Sequence, residues 1–157
     1  MPHRESFHVA FATDPHWAKA AKICREQLPV QLPDKPGGRL GFLYVTDHFE
    51  NQLGSILTFL RETTDIENWV GTVGLGVSAT GPVPGGVYEC FDTPGVAVMA
   101  SSFPPGSFHV FPTVSEDTAA FTAANKTWLE VRDSTFGVVH GDPRNPHMAG
   151  LLRGVAE

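Results

Sequence analysis

The sequence predicts an α/β fold: a mixed sheet with a parallel β-α-β-α start, antiparallel hairpin strands added after it, and helices packed on the sheet. Three observations carry that expectation. Up to Asp65, short β-rich runs alternate with longer runs whose apolar residues recur at helical spacing. After Asp65, several strand-like runs follow one another with only Gly/Pro-rich turns between them, the pattern of antiparallel hairpins. The chain of 157 residues is 41% hydrophobic and 18% charged. That is enough apolar material to close one core, most simply as a single domain over residues 1–157.

The elements follow in order. "SFHVAFAT" (6–13) alternates and reads as a strand. In "DPHWAKAAKICREQL" Asp14 suits the N-cap and Pro15 the first helical position. Trp17, Ala18, Ala21, Cys24 and Leu28 form an apolar stripe broken only by Arg25, and Pro29 and Pro33 end the helix. After the turn "PDKPGG", "RLGFLYVTD" (39–47) is almost continuously apolar inside, which suits a central strand covered on both faces. "HFENQLGSILTFLRETTD" (48–65) reads as the second helix, burying Leu53, Ile56, Leu57 and Leu60. This strand-helix-strand-helix order favours neighbouring parallel strands.

"NWVGTVGLGVS" (68–78) then reads as a third strand and "TGPVPGG" as a turn. "VYECFD", "GVAVMASSF" and "SFHVFPTV" are three short strand-like runs, separated by "TPG" and "PPG" turns. Residues 115–133 are Ala-rich and predict a helix after a Ser115 cap. "STFGVVHGDPRNP" reads as a strand running into a polar loop, and "HMAGLLRGVAE" as a last helix with a core face of Met148, Leu151, Leu152 and Val155. That helix meets no glycine cap or turn before Glu157, so the chain reads as the N-terminal part of a longer protein.

The formal charge of −6 and pI near 5.6 argue against nucleic acid or an anionic membrane as partner, since both repel an acidic chain. No apolar run approaches the ~20 residues that span a bilayer, and the N-terminus has no sustained apolar segment. The expected location is the cytoplasm. Cys24 and Cys90 are expected as reduced, packed thiols, one on a helix and one on a strand.

"VGLGVSATG" (73–81) has the glycine spacing of a dinucleotide-binding turn. Such a turn must open a helix whose N-terminus holds the pyrophosphate. Here two prolines and three glycines follow within residues 80–86, so no helix forms and no nucleotide cofactor is expected. Gly71, Gly74, Gly76 and Gly81 still need a reason. They serve either close packing against another element or a bare backbone surface on which a small ligand rests.

"GFLYVTDHFENQLGSILTFLRE", "WVGTVGLGVSATG", "GVAVMASSFPPGSF" and "FGVVHGDPRNPHMAGLLRGVA", in that order, together resemble the N-terminal half of a FIST domain. The resemblance covers nearly the whole chain. It implies a sensory module in signal transduction that takes a small molecule such as an amino acid, has no catalytic residues, and is completed by a C-terminal half absent from these residues.

The candidate ligand-binding residues are Gly74, Gly76 and Ser78 on the glycine strand and His140, Asp142, Arg144 and Asn145 in the polar loop. Arg144 can clamp a carboxylate with two parallel hydrogen bonds, and Asp142 can accept from an ammonium group, a pair that suits an amino acid or small carboxylate. The local alternative is that Asp142 caps the last helix or pairs with Arg144, with Pro143 and Pro146 fixing the turn. Asp14, His16, Asp47 and His48 converge if the first two strands are parallel neighbours, yet no tight His or Cys spacing supports a metal, and none is expected. A hydrolase using Ser78, Ser101, Ser102 or Cys90 is the alternative function. No strand-to-helix nucleophile elbow accompanies any of them. A third reading is an interaction module built on "SSFPPGSFHVF", whose Phe103, Phe108 and Phe111 otherwise belong to a hairpin and core.

Overall fold

The computed structural model describes residues 7–29, 32, 38–80, 86–114, 118–131 and 136–156. The tips of the turns at 33–37 and 81–85, the Ser115 cap and the start of the segment predicted from Ser134 lie outside them. The chain divides into two compact units, Met1–Val110 and Phe111–Glu157.

The first unit is a mixed α/β sheet, as the sequence predicts. Its elements are β1 (His8–Thr13), α1 (Trp17–Gln27), β2 (Arg39–Thr46), a 3-10 turn (Asp47–Gln52), α2 (Leu53–Thr64), β3 (Asn68–Gly74), β4 (Gly76–Thr80), β5 (Val87–Phe91) and β6 (Gly95–Ser102). Four strands form one sheet in the order β1-β6-β2-β3. β2 and β3 are parallel, and β6 runs antiparallel to both β1 and β2.

One expectation changes here. β1 and β2 point the same way but are not neighbours, because β6 lies between them, with Val98 opposite Ala10 on one side and Leu43 on the other. The reason is burial. Every residue of β6 except Met99 is buried, so this strand has to have partners on both edges and cover on both faces. Its small residues, Gly95, Ala97 and Ala100, fit that crowded position.

The segment 68–78 is not one strand. It breaks at Leu75, which is 79% exposed, and β4 leaves the sheet to pair antiparallel with β5. Val77 and Cys90 of this hairpin point inward with Ala97, against Phe11, Tyr44 and Ala79.

α1 buries Ala20, Ala21 and Cys24, small side chains that let the helix lie close to the sheet. α2 buries Ile56 and Leu60 completely. With Ala10, Leu43, Val45, Val96 and Val98 they make one core on a single face of the sheet. Each fully buried branched side chain contributes about 1.5–3 kcal/mol relative to exposure. Ala18, expected in the stripe, is exposed. Asp14 does not cap α1. Its Oδ1 accepts from the His16 N–H at 2.8 Å, an Asx turn one step before the helix, and His16 occupies the cap position.

"SFHVFPTV" (107–114) forms no strand. Pro112 cannot donate to a ladder, and the aromatic side chains find edge-to-face partners instead: Phe108 with Phe103 at 5.4 Å, and Phe103 with Phe7 at 5.9 Å.

The second unit holds α3 (Thr118–Val131) and α4 (Met148–Ala156). Phe111 packs edge-on against Phe121 at 4.8 Å and Trp128 at 5.7 Å. The two helices approach closely where Gly154 meets the Thr118 side chain, leaving no room for a Cβ. Of the predicted face on α4, Leu151 is buried and Leu152 is 47% exposed. Residues 136–140, expected as a strand, have no regular structure, and Phe136, Val138 and Val139 are exposed. Alternation alone makes no strand without a neighbour to pair with. No helix among the described residues is long and apolar enough to cross a membrane.

Candidate functional site

The candidate residues fall into two groups, each on its own unit. Gly74, Gly76 and Ser78 belong to the first unit, and His140, Asp142, Arg144 and Asn145 to the second.

On the glycine strand, backbone approach explains the composition. A Cβ on Gly71 would overlap the Leu43 carbonyl of the paired strand, and one on Gly76 would enter the Phe91 ring. Gly74 and Gly76 flank the Leu75 bend, and a Cβ on Gly74 would come within 3.0 Å of the Gly76 carbonyl oxygen. Of the two explanations the sequence leaves open, close packing accounts for these glycines. Ser78 is exposed on β4, directly opposite Glu89 of β5.

The polar loop is built by local hydrogen bonds. Pro143 and Arg144 form a turn closed by Asn145 N–H donating to the Asp142 carbonyl at 3.0 Å. Asn145 then leads into α4: its Oδ1 accepts from His147 N–H at 2.9 Å, and its carbonyl accepts from Met148 N–H at 3.1 Å. Gly141 lies against the Met148 thioether, its Cβ position 2.7 Å from Sδ, so the loop folds back onto the helix it introduces.

Within this turn Asp142 and Arg144 face each other. Arg144 Nε donates to Asp142 Oδ1 at 3.0 Å, Nη2 donates to Oδ2 at 3.1 Å, and Arg144 N–H donates to Oδ1 at 2.9 Å. The Arg144 side chain is 83% exposed and that of Asp142 50%. Side-chain and backbone hydrogen bonds from Arg144 hold the Asp142 carboxyl below its ordinary range. Burial lowers the pKa of His140, which keeps its ring neutral at pH 7. The loop therefore offers a guanidinium and a carboxylate, side by side and open to solvent, with a neutral imidazole two residues away.

The other constellation does not converge. His16 lies 3.7 Å from Asp14, and His48 lies 3.2 Å from Asp47. The ends of β1 and β2 are separated by β6, a gap of two strand spacings, about 10 Å. Among the described residues no group of three or more His, Cys, Asp or Glu could hold a metal ion.

The candidate nucleophiles are mostly enclosed. Ser101 and Ser102 are buried at 1% and 3% exposure, and both cysteines are buried. Burial pushes the Cys24 thiol up to about 12, so it stays protonated at neutral pH and lies 3.6 Å from the Val96 carbonyl.

Sequence reasoning missed two features. Thr46, fully buried at the end of β2, donates through Oγ1 to the Thr93 carbonyl at 3.0 Å and accepts from Gly95 N–H at 3.0 Å. It clasps the entry to β6. A lone hydroxyl ending an apolar strand was its only signal. The second is an open depression of about 450 Å³ lined by Arg61, Asp65, Ile66 and Glu67. Beside it Arg25 Nε donates to the Thr63 carbonyl at 2.5 Å, and Arg39 Nη1 donates to the Asp65 carbonyl at 3.4 Å. Both arginines serve the carbonyl end of α2, where cations are favoured.

Comparison with family models, with curated proteins and with solved structures gives no match.

Proposed function

We propose that the chain is a small-ligand sensory domain of the FIST kind, taking an amino acid or another small carboxylate at the loop carrying His140, Asp142, Arg144 and Asn145. The observation that carries this reading is the exposed, two-point pair of Asp142 with Arg144. An amino acid brings the same two charges in complementary order. Its carboxylate takes the guanidinium fork, its ammonium takes the Asp142 carboxylate, and the internal pair is exchanged for two intermolecular ones. Exposed ion pairs are weak, so opening this one costs little.

A signal follows from the same geometry. Asp142 and Asn145 define the entry to α4, so rearranging Asp142 on binding changes how that helix begins. In this reading the partner that receives the change is the C-terminal half that the resemblance implies. Gly74, Gly76 and Ser78 belong to the first unit, and of the three Ser78 presents an exposed polar side chain.

The test is calorimetry against a panel of amino acids and small carboxylates. Losing a fork that stays open to solvent should weaken binding about twofold to fivefold in Arg144→Ala, since an exposed ion pair is worth about 0.2–1 kcal/mol. Arg144→Lys should weaken it too, because an ammonium lacks the planar fork. If both variants only lower the melting temperature and leave affinity unchanged, Arg144 is a turn residue and the reading fails.

A further inference from the structure

The four-stranded sheet ends in β1 on one side and β3 on the other, and its two edges differ. On β1, the Gln27 carboxamide of α1 reaches across to Phe11. Its Oε1 accepts from Phe11 N–H at 2.8 Å and its Nε2 donates to the Phe11 carbonyl at 3.0 Å. That is the donor–acceptor pair a neighbouring strand would supply, so the chain closes the middle of this edge itself.

β3 carries no such guard among the described residues. The side-chain hydrogen bonds of this segment run to its own backbone, Trp69 Nε1 to the Ile66 carbonyl at 2.7 Å and Thr72 Oγ1 to the Val73 carbonyl at 3.3 Å. Asn68–Gly74 also lacks the lysine, proline or other charge that usually protects an edge. The edge continues into apolar surface. Leu75 follows it directly at 79% exposure, and Phe91, opposite Gly76 in the adjoining hairpin, is 63% exposed.

We propose that β3 is an interface between two copies of this chain, paired antiparallel about a two-fold axis near Gly71, so that the two sheets join into one. A second copy fits this edge for three reasons. Antiparallel pairing of identical strands is self-complementary, each copy giving and receiving the same hydrogen bonds. The strand itself is uncharged, so two chains that each carry −6 meet here without opposed charges. And with the β1 edge closed by Gln27, association through the four-stranded sheet stops at two copies instead of growing into a fibre.

The experiment is sedimentation equilibrium of the full chain from micromolar to millimolar concentration, with hydrogen exchange read on the β3 amides. The expected result is a particle of twice the chain mass whose β3 protection rises with concentration. Thr72→Lys brings a lysine from each copy close to the axis and should return the protein to single-chain mass. Leu75→Glu changes a side chain that is exposed and outside the core, so it tests the same surface in a chain that folds. A monomer at every concentration overturns the proposal. So does a dimer that persists in both variants with unchanged circular dichroism.

Discussion

Cys24 is a thiol that the sheet has made inert. It lies at 0% exposure between α1 and β6, and burial raises its pKa from 9.0 to about 12. Folding therefore favours the protonated thiol. The stability it contributes is fully present below pH 9.0 and is lost as pH rises through about 12. At neutral pH a thiol reagent should label native protein only as fast as the chain opens, and label it quickly in denaturant. Rapid native labelling at Cys24 would show the position to be accessible. The sequence placed Cys24 on a helix stripe, and that much was readable from spacing. What the residue scale concealed was pairing through space: Arg144 on Asp142, Gln27 on Phe11, Thr46 between Thr93 and Gly95. The first is a contact two residues apart and was foreseen as one of two options. The others join residues 16 to 49 positions apart, where spacing carries no information.

Among the elements, the helices were the most legible. An apolar stripe repeats over several turns, and Ile56 and Leu60 were named from it. Leu60→Ala should cost about 2–5 kcal/mol, because it empties a site with no exposure. Leu152→Ala, on the outer side of α4, should stay within about 0.5–1 kcal/mol. Denaturant melts of the two variants make the comparison, and equal losses would mean that α4 buries its other face. Strands were harder. "TFGVVHG" and "SFHVFPTV" have β-rich composition, yet composition promises only a surface that suits a sheet. Residues 136–140 find no partner strand among the described residues, and the phenylalanines of the other run pack on aromatic rings outside it, Phe108 on Phe103 and Phe111 on Phe121 and Trp128. The split at Leu75 was equally hidden, since glycines either side of a bend look the same as glycines inside a strand.

At the scale of the whole molecule, the α/β class was readable and the strand order was not. The order depends on which strand can tolerate cover on all sides, and β6 answers that with its burial. The two units differ in what they enclose. Met1–Val110 contains the complete helix–sheet core. Phe111–Glu157 rests on the aromatic contacts of Phe111 and on Leu151, in a segment of a size at which a core is marginal. Expressed separately, residues 1–110 should melt cooperatively with an α/β circular dichroism spectrum, and residues 111–157 should show no cooperative melt. The reverse result would place the folding core in the wrong unit. The position of β6 also sets a timetable. Among the described residues β1 is the first strand made, and its one sheet partner, β6, is the last. Residues leave the ribosome at about 5–20 per second, so β1 waits on the order of 5–20 s before β6 exists to receive it. For that interval a short apolar strand and the helix behind it are held by nothing in the sheet. The newborn chain is then most in need of a chaperone, and most open to pairing with a neighbour on the same message.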